Sequence, residues 1–168
     1  MNDFLVEYRT PELATAEITK ALGSLFEMVK NGSSRLDIRN GIKRLELEIL
    51  KFPQTKMPLT HQFCDGLYIR TIFNPKGAII VTEIHREQNV STILAGKLLC
   101  ITEDGQEVLN SPSQFITKPG TKRVLFAEED VLFSTIHPNP LNITDIDELE
   151  RRLIAPDFES IEWTGEIL

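Results

Sequence analysis

Between Pro58 and Asn139 the chain is cut into short apolar or alternating runs by turn signals that recur every few residues. The signals are Cys64-Asp65-Gly66, Asn74-Pro75-Lys76-Gly77, Ala95-Gly96, Glu103-Asp104-Gly105, Asn110-Ser111-Pro112, Lys118-Pro119-Gly120 and Glu128-Glu129-Asp130. Glycine supplies positive φ, proline pre-sets φ, and Asn or Asp bonds its own backbone, so such clusters reverse the chain. The intervening runs are 67–73, 78–85, 91–94, 97–102, 114–117, 123–126 and 131–137, rich in β-branched and aromatic residues. Parallel strands need a crossover of a dozen or more residues, which none of these gaps provides. The pattern predicts an antiparallel sandwich or barrel, not a stack of βαβ units.

The flanks carry a different period. Thr10-Pro11-Glu12 has the hydroxyl cap, the proline and the first-turn acid of a helix start. Ile18, Leu22, Leu25, Phe26 and Val29 follow at helical spacing up to an Asn31-Gly32 stop. Ser34 with Asp37 makes a capping-box pattern ahead of Ile38, Ile42, Leu45 and Ile49, and Pro53 ends that stretch. Two amphipathic helices in succession predict an antiparallel hairpin packed on another layer. After Pro140, Thr144 as cap and Asp147 precede a third stripe of Ile146, Leu149, Leu153 and Ile154, closed by Pro156. Trp163, in the tail, is a candidate for docking on the barrel or for an interface. The expected division is 1–57 as a helical hairpin, 58–140 as a β-barrel and 141–168 as a helix with a tail.

A net charge of -7 argues against nucleic acid, whose backbone calls for clustered Lys and Arg. No apolar run approaches the ~20 residues that cross a bilayer, and the first residues lack a basic stretch followed by an apolar one. The cytoplasm is the expected compartment. Cys64 and Cys100, far apart and in no CxxC arrangement, form neither a disulfide framework nor a zinc knuckle, and each is expected to be a small buried hydrophobe. Glycine-rich phosphate loops, HExxH helices and GxSxG elbows are absent. A Cys64–His61 nucleophilic pair has only sequence proximity behind it.

The chemistry concentrates in Glu83-Ile84-His85-Arg86-Glu87-Gln88-Asn89, closing on Gly96. Side chains two apart on a strand share a face, so Glu83 and His85 are expected to look into one space. All three histidines, His61, His85 and His137, fall within the barrel segment. Arg123, facing the cavity, would offer a planar fork to a carboxylate or phosphate; facing outward it is a strand-surface residue, and paired with Glu83 it is structural. Lys122 is expected to be solvated at the rim. Tyr68 and Arg70 share parity and go inward or outward together; the outward reading is the ordinary one for Arg70.

Two stretches resemble the motifs of the cupin superfamily, double-sheet jelly-roll barrels. The first motif maps onto Gly77, Glu83-Ile84-His85, Asn89 and Gly96, and the second sets its proline-glycine turn on Lys118-Pro119-Gly120. More narrowly, the run from Leu45 through Phe158, about two thirds of the chain, resembles an uncharacterised family of cupin-like proteins met in bacteriophage genomes. That likeness is carried by Phe52-Pro53-Gln54, His61-Gln62-Phe63, Gly66-Leu67-Tyr68, Ile84-His85-Arg86, Thr102-Glu103-Asp104-Gly105, Pro119-Gly120-Thr121-Lys122-Arg123 and Thr135-Ile136-His137. It implies a mainly β fold: a cupin-type double-stranded jelly-roll barrel, preceded by a helical hairpin and followed by a C-terminal helix.

In metal-binding cupins two histidines and a glutamate of the first motif and one histidine of the second hold the ion. Here Glu83 stands for a histidine, Asn89 for the glutamate and Arg123 for the last histidine, so only His85 matches. A fixed cation opposes a dication. No complete metal site is expected; iron, manganese or zinc would need His85 and Glu83 completed by His61 or His137.

The reading that follows is a metal-free protein binding a small anionic molecule: a nucleotide, sugar phosphate or organic acid. Arg123 would take the anion, Glu83, His85 and Asn89 would orient it, and Tyr68, Arg70, His61 and His137 are further lining candidates. One alternative is an enzyme, dioxygenase-like with metal or an acid–base isomerase or epimerase with His85 oriented by Glu83. Another is an assembly module with a vestigial pocket. Cupin-like barrels commonly pair, so a homodimer is expected, in the host cytoplasm if a phage encodes it.

Overall fold

The structure, a computed structural model, describes residues 7–9, 16–54 and 56–161. In chain order its elements are β1 (Glu7–Arg9), α1 (Ala16–Lys30), α2 (Arg35–Leu50), β2 (Leu59–Cys64), β3 (Gly66–Asn74), β4 (Ile79–Val81) and β5 (Ile84–His85). There follow β6 (Asn89–Ala95), β7 (Lys97–Thr102), β8 (Gly105–Asn110), β9 (Ser113–Thr117), β10 (Val124–Ala127), β11 (Val131–Asn139), α3 (Ile146–Leu153) and β12 (Ile154–Ala155).

Strand pairing nests around one hairpin. β7 pairs with β8, β6 with β9, β4 with β10 and β3 with β11, all antiparallel. Successive rungs alternate between two five-stranded sheets, β1-β4-β10-β7-β8 and β2-β3-β11-β6-β9. A long hairpin wrapped over two facing sheets in this way is a jelly roll. The chain changes sheet between β6 and β7 at Gly96, where φ is 85°. A Cβ there would lie 2.1 Å from the Asp130 carbonyl oxygen, so glycine alone fits.

Alternation sorts the core. Ile72, Ile80, Ile93, Leu98, Leu125 and Phe133 pack between the sheets. Their strand neighbours Ile79, Val81, Ile101 and Val124 face outward and are covered by Ile18, Leu25, Ile38, Ile42, Leu45 and Ile49 of the two helices. β4 is therefore apolar on both faces because both faces are buried. Ser34 caps α2 as its spacing predicts, accepting from the Asp37 N–H at 3.1 Å. The Thr10-Pro11-Glu12 start and Trp163 lie outside the described residues. Among the described residues no helix is long and apolar enough to cross a membrane.

Several details differ from the sequence expectation. β2 and β8, unforeseen, are edge strands whose residues are mostly exposed, so no alternation marks them. The apolar run 78–85 is two strands in different sheets, broken at 82–83. α3 is capped by Asp145, which accepts from the Glu148 N–H at 2.8 Å, not by Thr144. Cys64 is exposed, because β2 forms a sheet edge; Cys100 is buried.

The C-terminal segment closes one end of the barrel. Leu149 and Leu153 of α3 pack on Tyr68, and β12 pairs with β5, setting Ile154 opposite His85. Arg86 fastens this segment: its N–H donates to the Leu153 carbonyl at 2.8 Å, its Nε to the Ile154 carbonyl at 3.0 Å and its Nη1 to the Ser160 carbonyl at 2.8 Å.

Candidate functional site

On β3, Tyr68, Arg70, Ile72 and Asn74 share one face, and Ile72 belongs to the core between the sheets. All four therefore point into the barrel. Across the ladder, His137 stands opposite Tyr68, Thr135 opposite Arg70, Phe133 opposite Ile72 and Val131 opposite Asn74. A cavity of about 50 Å³ lies between the sheets. Its polar end is formed by Arg70, Thr82, Glu83, His85 and Thr135, under Ile154 of β12. Its middle is apolar, with Ile72, Ile80, Leu125 and Phe133, and Asn74 stands at the far end. At ~10–15 Å³ of such space per water, it holds about three to five water-sized bodies. That is too small for a nucleotide.

Arg70 thus points inward, against the ordinary reading, and brings a guanidinium to the cavity wall. Burial lowers its pKa, while the Tyr68 hydroxyl and the Glu150 and Glu83 carboxylates pull the other way. Glu83 sits in the break between β4 and β5, not on a strand with His85, yet both line the cavity. Burial pushes the Glu83 carboxyl upward, toward the neutral acid; Lys122 and Arg70 oppose this and Glu46 and Glu150 reinforce it. Lys122 is not solvated at the rim: its side chain is only 10% exposed and pairs with Glu46 of α2.

The three histidines converge. His61, Tyr68, His137 and His85 form a column of stacked rings with centroid separations of 5.9, 5.7 and 5.0 Å. His61 Nδ1 lies 2.8 Å from the Tyr68 hydroxyl, and His137 Nε2 lies 3.0 Å from Thr135 Oγ1. Burial drives the pKa of His85 down to about 4, with the Arg70 and Arg123 cations adding to it, and that of His137 to about 3, with His85 and Arg70 adding. Both rings are neutral at pH 7. Burial also raises the Tyr68 phenol to about 12.

Asn89 and Arg123 point into the barrel without lining this cavity. Asn89, 3% exposed, accepts from Ser91 Oγ at 3.3 Å. Arg123 alternates with Leu125 and lies 5.4 Å from the Phe115 ring centroid; burial lowers its pKa, and the Cys100 thiol beside it opposes that. Cys64 and His61, three apart on β2, face opposite sides. Cys64 is exposed while His61 faces Tyr68, which leaves no nucleophile–base pair.

The donor set does not fit a metal ion. Among the described residues no group of three or more His, Cys, Asp or Glu is placed to hold one. Stacked imidazoles hold their lone pairs in near-parallel planes, here with ring centroids 5.0 Å apart, and Arg70 and Arg123 lie within electrostatic reach of His85.

Three polar lining residues are not among the sequence candidates: Asn74, Thr82 and Thr135. Asn74 falls within the Asn74-Pro75-Lys76-Gly77 turn signal, although its even spacing from Tyr68 and Arg70 marks it as a wall residue. It is 0% exposed. Neither its Oδ1 nor its Nδ2 has a hydrogen-bond partner among the described residues, and the same holds for His85 Nδ1.

No protein-family model matches the chain, and no curated protein matches it in sequence. Among solved structures it is similar to a cupin-2 domain protein from Shewanella frigidimarina, at 14% identity over 56% of this chain and 91% of that one, TM-score 0.42. A cupin superfamily protein from Desulfitobacterium hafniense matches at 11% identity over 54% and 84%, TM-score 0.44. An uncharacterised double-stranded β-helix protein from Klebsiella pneumoniae matches at 15% identity over 55% and 85%, TM-score 0.45. The fold assignment rests on the nested strand pairing described above.

Proposed function

We propose that this chain is a cupin-like protein that binds a small carboxylic acid in its barrel cavity without a complete metal site. One observation carries the reading: a guanidinium, Arg70, stands in the wall of a cavity that also holds the Asn74 amide and His85 Nδ1, both without a hydrogen-bond partner among the described residues. A buried polar group without a partner costs about 1–3 kcal/mol, so this lining favours an occupant that supplies partners. A guanidinium fork suits a carboxylate. Arg70 therefore takes the role that the sequence reading gave to Arg123. The test is thermal unfolding with short carboxylates at millimolar concentration. Ligand at ten times its Kd adds about 1.4 kcal/mol, which raises Tm by about 3–6 °C at this size. Absence of any shift, or an equal shift in a folded Arg70→Met variant, overturns the reading.

A second reading is favoured by Glu83 and His85 on the same cavity. A carboxyl pushed toward its neutral form beside an imidazole held unprotonated is an arrangement for proton transfer, as in isomerases and epimerases. Exchange of an α-hydrogen of a bound acid in D2O, followed by NMR, would reveal it; no exchange above the protein-free rate excludes it. The phage resemblance suggests a use, the sequestering of a host metabolite in the host cytoplasm. Pairing of two copies is proposed through the outer face of the β2-β3-β11-β6-β9 sheet, where Leu94 is 49% and Ile116 is 59% exposed. Light scattering should give a dimer that Ile116→Lys weakens; a monomeric wild type would refute it.

A further inference from the structure

We infer that Asn74 reads a second polar group on that carboxylate, so that the ligand is a short bifunctional acid with a neutral hydroxyl or amide at its other end. This rests on the acid-binding reading above and adds a specificity-determining residue to it.

The geometry is a slot with unlike ends. Arg70 and Asn74 are four residues apart on one strand face, about 13 Å between Cα atoms at the usual rise. Between them, Ile72 and Phe133 offer the ligand only apolar surface. Asn74 shares the interior with the buried cluster of Ile72, Leu98, Ala127 and Val131, where a leucine would be the expected occupant. In its place stands a fully buried amide with donor and acceptor both unpartnered among the described residues, and exchanging its O and N leaves that need unchanged.

The amide's chemistry selects among tails. A methyl leaves both Asn74 atoms unsatisfied. A second carboxylate accepts from Nδ2 but repels Oδ1. A hydroxyl donates to Oδ1 and accepts from Nδ2, and a primary amide does the same with two atoms. Sites built to hydrogen-bond a ligand group reject the analogue that lacks it, because their own polar atoms are then stranded. The cavity volume limits the spacer to a carbon or two.

Four probes test the inference by thermal unfolding: propionate, 3-hydroxypropionate, malonamate and the neutral propionamide. On the wild type, 3-hydroxypropionate or malonamate is expected to bind at least tenfold tighter than propionate. In Asn74→Leu that ratio should fall to one or invert, with the unliganded variant no less stable than the wild type. Asn74→Ala, which leaves a hole and no clash, serves if the leucine variant does not fold. Equal binding of propionate and 3-hydroxypropionate by the wild type, or a ratio that survives Asn74→Leu, overturns the inference while leaving acid binding intact. Binding of propionamide, lost in Asn74→Leu, with no carboxylate bound supports the Asn74 contact and overturns the acid reading. No binding by any probe overturns both.

Discussion

The imidazoles of His85 and His137 stack with centroids 5.0 Å apart, although one comes from a two-residue strand and the other from the nine-residue β11. Neither ring has a carboxylate among the groups that shift it; Arg70 acts on both, so a proton on either adds charge beside a cation.

Acid should therefore weaken the fold well above the carboxylate range. Both folded pKa values, about 4 and about 3, lie below the unfolded 6.5, so the unfolded chain binds more protons between them. The stability contributed by the neutral rings is complete above pH 6.5 and is lost as pH falls toward those values. Glu83 runs the opposite way: raised above 4.5, it contributes stability at low pH that is lost as pH rises through its folded value. Urea unfolding at pH 7 and pH 5 should differ by on the order of 2–3 kcal/mol, and Glu83→Gln should steepen the fall. A flat profile across that range would show that the rings are not protected from protons.

The Lys122–Glu46 pair ties the barrel to α2 with side chains only 10% and 19% exposed. Removing one partner strands the other charge, so Lys122→Met should cost about 2–3 kcal/mol, and adding Glu46→Leu should restore most of it. A double variant no more stable than the single one would show the pair to be effectively solvated.

Arg86 holds the cover over the cavity through three donors to backbone carbonyls. Arg86→Met should speed hydrogen exchange at residues 84–86 and 153–160 by about tenfold or more, since each lost bond lowers the local opening free energy by about 1 kcal/mol. Exchange should stay unchanged in β7 and β8. Uniform acceleration through the barrel would instead mean global destabilisation.

Turn chemistry made the barrel legible, because Gly96 and the Pro-Gly and Asp-Gly pairs are local signals. The sheet edges were not: Gln106 and Glu107 of β8 have no buried face to impose alternation. Parity put Tyr68 and Arg70 on the same side but could not say which side. That sign is set by Ile72, whose burial depends on Phe133, opposite it and some sixty positions away in sequence. Lys122 looked like a rim residue because its partner Glu46 belongs to a helix outside the motif. Asn74 was hidden by its own turn propensity. The two motif stretches do meet, the Gly120 N–H donating to the His85 carbonyl at 2.9 Å, but the residue types they bring together are not those of a metal shell.

The nested pairing also dictates how the molecule can be assembled in time. The β7–β8 hairpin closes a short loop, whereas β3 and β11 join residues 66–74 to 131–139. Loop-closure entropy favours zipping outward from the hairpin, each rung shortening the gap the next must close. Leu98→Ala should then slow folding, while Ile72→Val should mainly speed unfolding; the reverse assignment in stopped-flow chevrons would exclude this order. Arg70, Asn74 and Thr135 all belong to the outermost rung. The nascent chain would acquire its pocket last, after the hairpin that anchors the barrel is already in place.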